Sequence, residues 1–178
     1  PWTLPSNLAL CVNPHETYCH VRAEGRVYIM AKALVETVLE GKEPEILDEM
    51  PGTALHGLEY EPLYRFVEPD KKAWFVICDD YVTMTDGTGI VHIAPAFGED
   101  DAQVGRRYDL PFVQFVDGKG HMTEETPFAG LFVKDADPKV LVDLESRGLL
   151  YDAPKFEHDY PFCWRCDTPL LYYARESW

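Results

Sequence analysis

A buried strand, a loop of small residues and a helix start follow one another in residues 87–101, which read GTGIVHIAPAFGEDD. The run from Gly89 to Ala94 is almost wholly apolar, as in a strand that is covered on both faces. Residues 99–108 predict a short helix whose first turn carries carboxylates. This unit places His92 near the end of a strand and Asp101 at the start of a helix, which is typical of a binding site.

Each part of this unit also has an ordinary structural explanation. Carboxylates open many helices as simple capping, and a histidine in an apolar strand is commonly a satisfied core residue. The pair Gly87 and Gly89 lacks the full spacing of a dinucleotide-binding loop. Taken together they favour a site, because an ionised Asp101 near the positive end of a helix can bind an ammonium group.

The rest of the sequence predicts strands more often than helices. Residues 8–12 and 74–78 are short apolar runs, and residues 18–29 predict a hairpin that turns at Glu24-Gly25. Residues 42–51, which are acidic and interrupted by proline, predict a surface connection.

Two further helices complete the prediction. One covers residues 31–40, and the clearer one begins at Asp137-Pro138, with aspartate as the cap, and ends at Gly148. We therefore expect a mainly β fold with a barrel-like core and a few peripheral α-helices.

Composition limits the classes of function. The chain has 178 residues, a formal charge of −15 and 46% hydrophobic residues, which is enough for a packed core and excludes a disordered chain. Such acidity disfavours a domain that binds nucleic acid or an anionic membrane unaided. No apolar stretch approaches the roughly 20 residues of a membrane span. We expect a cytoplasmic, monomeric domain, and the ends at Pro1 and Trp178 suggest excision from a longer protein.

The cysteines favour reduced thiols over a disulfide framework, because they are odd in number and scattered: Cys11, Cys19, Cys78, Cys163 and Cys166. The spacing of Cys163 and Cys166 is that of one knuckle of a tetrahedral zinc site, which needs four ligands. A redox pair remains open but lacks the expected strand-to-helix context. A half-site completed by a segment outside this sequence fits better than a complete internal site.

No nucleophile elbow, phosphate-binding loop or paired-histidine metal motif is present in the sequence. Any hydrolysis by this domain is therefore expected to use a positioned water molecule. The sequence motif does not provide an obvious general base for that water.

Three segments resemble, in order, the inserted editing domain of class I aminoacyl-tRNA synthetases. They are residues 1–7 (PWTLPSN), residues 87–101, and residues 158–178, which include HDYP, the cysteine pair and YYARESW. His92 and the run from Phe97 to Asp100 favour the isoleucyl branch over the valyl and leucyl ones. Residues 1–178 are accordingly expected to form a single editing domain.

The resemblance implies a role for each matching residue. Asp101 is expected to bind the α-ammonium of the substrate, His92 to exclude isoleucine, and Thr3 to face the adenosine and the ester. Three catalytic residues are thus expected. Substrate binding is expected at Trp2, Asn7, Gly87, Thr88, Gly89, Ala94 and Phe97, where the small Ala94 would let a ligand approach the backbone closely. Further threonines that precede the first motif in the family are not in this sequence.

The resemblance also implies the substrate and partners. We expect hydrolysis of valine from the acceptor end of tRNA(Ile), and of valyl-adenylate, with the rest of the synthetase in cis. No cofactor is expected for hydrolysis. Zinc at Cys163 and Cys166 would belong to the whole enzyme, and ATP with magnesium to its synthetic domain. The alternatives are a non-catalytic module with a zinc knuckle and, less favoured, a free-standing deacylase.

Overall fold

The structure is a computed structural model, and it describes residues 1–155 and 159–175. Two three-stranded sheets organise it. In the first sheet, β1 (Ala9–Val12) lies between β5 (Phe75–Cys78), to which it is parallel, and β6 (Ile90–Ile93), to which it is antiparallel. In the second, β2 (Thr17–Ala23) lies between its antiparallel neighbours β3 (Arg26–Ala31) and β4 (Glu45–Pro51).

Helices flank these sheets. They are α1 (Val35–Val38), α2 (Glu99–Arg107) and α3 (Val133–Ser146), with short 3-10 turns at Leu4–Ser6, Lys32–Leu34, Gly52–Leu55 and Pro95–Phe97. Within the described residues no helix has the length and apolar character that crossing a membrane requires.

The first sheet has a different environment on each face. Side chains alternate along a strand, so Ala9, Cys11 and Ile93 point to one face, where Val104 of α2 packs in the same apolar cluster. Leu10 of β1 pairs with His92 of β6 and both belong to the opposite face. The sheet thus separates α2 from the side chain of His92.

Three strand predictions, the hairpin and one helix prediction are confirmed. The runs at 8–12, 74–78 and 89–94 contain β1, β5 and β6, the hairpin at 18–29 is β2 and β3, and α2 covers most of 99–108. The helix over 31–40 is real but shorter, since only a 3-10 turn and the single turn α1 form there.

Three predictions need correction. The barrel-like core is not confirmed, because the described residues form two open sheets beside helices, a mixed α/β arrangement. Residues 45–51 are not a surface connection but the edge strand β4, which is exposed along nearly all of its length. The helix α3 begins at Val133, one turn before the predicted cap. Asp137 lies inside it and accepts a hydrogen bond from the Trp2 backbone instead (2.8 Å).

Candidate active site

Three of the predicted site residues meet at the end of β6. His92 Nε2 lies 3.0 Å from Thr3 Oγ1, and His92 Nδ1 lies 2.9 Å from Asn7 Nδ2. The 3-10 turn Leu4–Ser6 brings this about, because it begins just after Thr3 and directs the chain through Asn7 into β1, the neighbour of β6. Residues more than eighty positions apart in the sequence are thereby hydrogen-bonded.

Asn7 is the centre of this cluster. Its side-chain nitrogen also donates to the Ala9 carbonyl (2.9 Å), and its side-chain oxygen accepts a hydrogen bond from the Tyr60 hydroxyl (2.5 Å). The Trp74 indole donates to its backbone carbonyl (3.0 Å). Asn7 is only 9% exposed, so these bonds satisfy polar atoms that would otherwise be costly to bury.

His92 is neutral at physiological pH. Burial lowers the pKa of His92 to about 4, because the charged imidazolium is poorly solvated there, and positive charge at the amino terminus adds to the effect. The ring therefore acts as a shaped, uncharged surface with one donor and one acceptor nitrogen.

An open cleft of about 830 Å³ lies beside Thr3 and His92. This volume suits a small organic ligand. Leucines of α3 and of the segment after it supply apolar surface, and charged side chains also line the cleft. The other lining residues are Pro1, Leu4, Asp137, Leu141, Leu144, Leu150, Asp152, Ala153, Pro154 and Lys155.

Asp101 lies at the same end of β6 but in a different setting. Its Oδ2 accepts a hydrogen bond from the Ala94 backbone (2.9 Å), which folds the carboxylate back over the strand end. Burial raises the pKa of Asp101, and the bond from Ala94 partly opposes this. Gly98 leaves room for the carboxylate, since a Cβ there would lie 3.1 Å from Asp101 Cγ.

The described lining of the 830 Å³ cleft does not include Asp101, because α2 packs on the other face of the sheet. The structure therefore brings Thr3, Asn7 and His92 together and places Asp101 at the adjacent strand end.

Trp2 and Phe97 form an apolar contact near this end of the sheet. Their rings meet edge to face with centroids 4.9 Å apart, and both pack against the cluster that includes α3. Ala94, between β6 and the following 3-10 turn, is buried.

The glycine turn lies at the opposite end of β6. Gly89 accepts a hydrogen bond from the Tyr18 hydroxyl (2.6 Å), and the Thr88 carbonyl accepts one from the Ala31 backbone (2.9 Å). Gly87 and Gly89 both have positive φ, which glycine adopts readily. The roles of Gly87, Thr88 and Gly89 beside a ligand stay predictions.

Cys163 and Cys166 occupy one tight turn. The Cys163 backbone donates to the Thr168 carbonyl and the Asp167 backbone donates to the Cys163 carbonyl, both at 2.9 Å. Hydrogen bonds from Thr168, and one from the Cys163 thiol, lower the pKa of the Cys166 thiol. Residues 1–155 and 159–175 contain no cluster of three or more metal-ligating side chains. His158 and residues 176–178 lie outside the described part.

Sequence reasoning missed Tyr60 and Trp74 as parts of the site. Tyr60 stands alone between two glutamates in an irregular segment, and no motif marks it. The apolar run at 74–78 predicts only a strand for Trp74. Both residues are identified only in the folded structure, where the Tyr60 hydroxyl and the Trp74 indole N–H each donate a hydrogen bond to Asn7.

The chain is similar over its whole length to isoleucine–tRNA ligases. It is 56% identical to that of Clostridium acetobutylicum over 179 residues and 47% identical to that of Methanothermobacter thermautotrophicus over 186 residues. It spans only 17% of the length of each. No protein-family model matches it.

The fold is that of a CP1 domain. The solved structure of GlLeuRS-CP1, from a leucyl-tRNA synthetase, superposes with a TM-score of 0.68 at 18% identity, covering 87% of this chain and 82% of that one. The resemblance to the inserted editing domain of an isoleucyl-tRNA synthetase is therefore confirmed.

Proposed function

We propose that this chain, which matches the inserted editing domain of isoleucyl-tRNA synthetases, hydrolyses the ester of valine wrongly attached to tRNA(Ile). The hydrogen-bonded pair of Thr3 and His92 at the wall of the cleft is the observation that carries this proposal. A hydroxyl beside a neutral imidazole suits an aminoacyl ester better than it suits a charged phosphate. Valyl-adenylate is a second proposed substrate.

Isoleucine and valine differ by one methylene, which changes the binding free energy in an apolar pocket by only about 1–3 kcal/mol; isoleucyl-tRNA synthetase is the standard example of this limit. A separate hydrolytic site can remove the valine that such a pocket fails to reject. In the proposed reaction, water adds to the ester carbonyl carbon and the bond to the ribose oxygen breaks. Valine and the free tRNA leave, with the water protons shared between the acid and the ribose hydroxyl. The reaction requires no metal and no covalent enzyme intermediate.

We assign Asp101 to the α-ammonium of valine. The Oδ2 atom of the carboxylate is held by the Ala94 backbone, and Oδ1 would pair with the ligand. A bound ammonium would favour the ionised form, which burial alone disfavours. The carboxylate must reach the ligand around the end of β6, because α2 packs on the opposite face from His92.

Asp101→Asn tests this assignment. It keeps the shape and the Ala94 contact but removes the charge. The variant is made in a hybrid synthetase in which this chain replaces the corresponding segment of the Clostridium acetobutylicum enzyme. We expect kcat/KM for valyl-tRNA(Ile) deacylation to fall about 10- to 100-fold, which corresponds to the loss of one charge-assisted hydrogen bond.

Asp100→Asn changes the exposed neighbour of Asp101 and is the matched control. Aminoacylation should not change in either variant. Undiminished deacylation by Asp101→Asn contradicts the assignment.

We assign His92 to the exclusion of isoleucine. It is partly buried, uncharged and fixed on both sides by Thr3 and Asn7, so it presents a rigid edge. His92→Ala should allow the hybrid enzyme to hydrolyse correctly charged isoleucyl-tRNA(Ile). Continued rejection of that substrate would remove His92 from this role.

The acidity of the chain agrees with a domain that handles only the acylated end of the tRNA. With a net charge of −15, affinity for the polyanion must come from other parts of a synthetase. tRNA and the remainder of the synthetase are thus the proposed partners.

We infer that Cys163 and Cys166 supply two ligands of a zinc site. They fit, because both thiols face each other in one turn and the lowered pKa of Cys166 favours the thiolate that zinc binds. The ion would stabilise this turn, and the remaining ligands would come from elsewhere in the synthetase. Zinc content of the hybrid enzyme should fall in Cys166→Ser and not in Cys78→Ser.

A non-catalytic zinc module is the second reading. It predicts stoichiometric zinc in the 178-residue chain and no binding of a non-hydrolysable valyl-adenosine analogue near Asp101 or His92. Titration of the chain with that analogue, followed by NMR, separates the two functions.

A further inference from the structure

We propose that Tyr60 is a positioning residue of this site. Acting through Asn7, it fixes which ring nitrogen of His92 carries the proton. The consequence is that Thr3 Oγ1 becomes a hydrogen-bond donor into the cleft. The location of the proton follows from geometry alone, whereas its importance for ester hydrolysis rests on the function proposed above.

The orientation of the Asn7 amide is the first step. Its Nδ2 lies 2.9 Å from the Ala9 carbonyl oxygen, which can only accept a hydrogen bond. The Ala9 carbonyl therefore favours the amide nitrogen at that position, and the Tyr60 hydroxyl, 2.5 Å from the amide oxygen, holds the amide from its other side. Burial raises the pKa of Tyr60, so the phenol keeps its proton and donates it.

The tautomer of His92 is the second step. An amide NH₂ only donates, so His92 Nδ1, 2.9 Å from Asn7 Nδ2, must be the unprotonated acceptor. A neutral imidazole then carries its proton on Nε2. That N–H points at Thr3 Oγ1, 3.0 Å away.

The state of Thr3 is the third step. Its oxygen accepts from His92, which leaves its own hydroxyl proton free to point elsewhere. Thr3 lines the cleft, so this proton is available to the ligand. A donor suits the negative charge that develops on an ester carbonyl oxygen during attack by water. The opposite tautomer would make Thr3 donate to His92 and offer only lone pairs.

Backbone and side-chain hydrogen bonds hold Tyr60 beside Asn7, at the start of the chain of hydrogen bonds that runs through Asn7 and His92 to Thr3. Its backbone N–H donates to the Trp74 carbonyl (3.1 Å), and the Trp74 indole donates to the Asn7 carbonyl (3.0 Å). Turning the amide over would set its oxygen against the Ala9 carbonyl and would take away the oxygen that accepts the Tyr60 hydroxyl proton. Tyr60 and Ala9 therefore both oppose the flipped state.

The test reads the proton on His92 directly. The 178-residue chain is labelled with ¹⁵N-histidine, and the ring nitrogens are assigned by comparison with His92→Gln. We expect the unaltered chain to show His92 only with the proton on Nε2. Tyr60→Phe should give a mixture of both tautomers. Tyr64→Phe is the matched control, since it removes another largely buried phenol hydroxyl, one bonded to Asp143, and should leave the pattern intact.

Asn7→Asp provides a second variant that does not depend on the loss of Tyr60. A carboxylate only accepts, so it should draw the His92 proton to Nδ1. If Tyr60→Phe keeps the proton on Nε2 alone, Tyr60 does not set the tautomer and the proposal is overturned. If Asn7→Asp also keeps it there, the link through Asn7 is overturned as well.

Kinetics in the hybrid synthetase show whether the proton position matters. Tyr60→Phe should lower kcat for valyl-tRNA(Ile) deacylation in proportion to the fraction of His92 that loses the Nε2 proton, about twofold for an even mixture, with little change in KM, because substrate contacts remain while the donor is less often in place. Tyr64→Phe should keep kcat. An unchanged kcat together with a shifted tautomer would overturn the catalytic part. Absence of deacylation by the unaltered hybrid would instead contradict the proposed function and leave the NMR result standing.

Discussion

The two ends of β6 each contain a tyrosine hydroxyl in a short hydrogen bond, but the bonds differ in kind. At the first end, the Tyr18 hydroxyl donates to the Gly89 carbonyl (2.6 Å) and accepts from the Asn13 backbone (2.8 Å). At the other end, the Tyr60 hydroxyl donates to the side chain of Asn7, which itself bonds to His92.

This difference means that one end of β6 contributes to the stability of the fold and the other end to the protonation of the site. Backbone partners have fixed donor and acceptor roles, so Tyr18 can only secure the turn. Side-chain partners such as Asn7 and His92 can exchange roles, so Tyr60 can decide where a proton resides. We therefore expect changes at the Gly89 end to affect the free energy of unfolding and changes at the His92 end to affect protonation.

The largest expected effect lies at the glycine end. A Cβ on Gly89 would be 2.5 Å from Ala31 Cβ, and the backbone there has φ of +75°. Gly89→Ala should lower the free energy of unfolding by about 2–5 kcal/mol, from the left-handed backbone and the overpacking together. Gly87→Ala, also at positive φ but with open space around it, should cost only about 1–2 kcal/mol. Urea unfolding measures both, and equal losses would contradict the packing argument.

The next effect lies at the His92 end and depends on pH. The pKa of His92 is about 4 in the folded chain against an unfolded value near 6.5, so the unfolded state binds more protons between these values. The contribution of neutral His92 to the free energy of unfolding is therefore fully present above pH 6.5. It is lost as the pH falls toward 4, by up to about 3 kcal/mol.

His92→Gln is the control for this pH dependence, because an amide can still donate to Thr3 but does not titrate. Unfolding free energies at several pH values should show a shallower decline for this variant than for the unaltered chain. Parallel curves for the two proteins would mean that His92 does not carry the effect.

How much of this was predictable follows from where the signals lie in the sequence. Strands β1, β5 and β6 are short apolar runs and were predicted because burial leaves a local pattern. The edge strand β4 was missed because its exposed, charged residues show no alternation, as is common at sheet edges. The earlier start of α3 could have been found from Val133 and Ala136, which extend the buried stripe of Val140 and Leu144.

The site divides in the same way. His92 and Asp101 were found because they belong to one continuous motif. The pairing of Thr3 and Asn7 with His92 joins distant segments, and only the family resemblance led to these residues. Tyr60 was missed because a single hydroxyl that bonds a distant amide leaves no periodic trace.

The smallest expected effect is the sharpest comparison of the two ends. Tyr18→Phe removes two hydrogen bonds to the backbone and should lower the free energy of unfolding by about 1–2 kcal/mol. The ¹⁵N pattern of His92 should not change, since no exchangeable side chain links Tyr18 to it. Tyr60→Phe should do the reverse, with a smaller loss of stability and a mixed tautomer. If Tyr18→Phe also shifts the His92 proton, β6 transmits strain from one end to the other and the two ends are not independent.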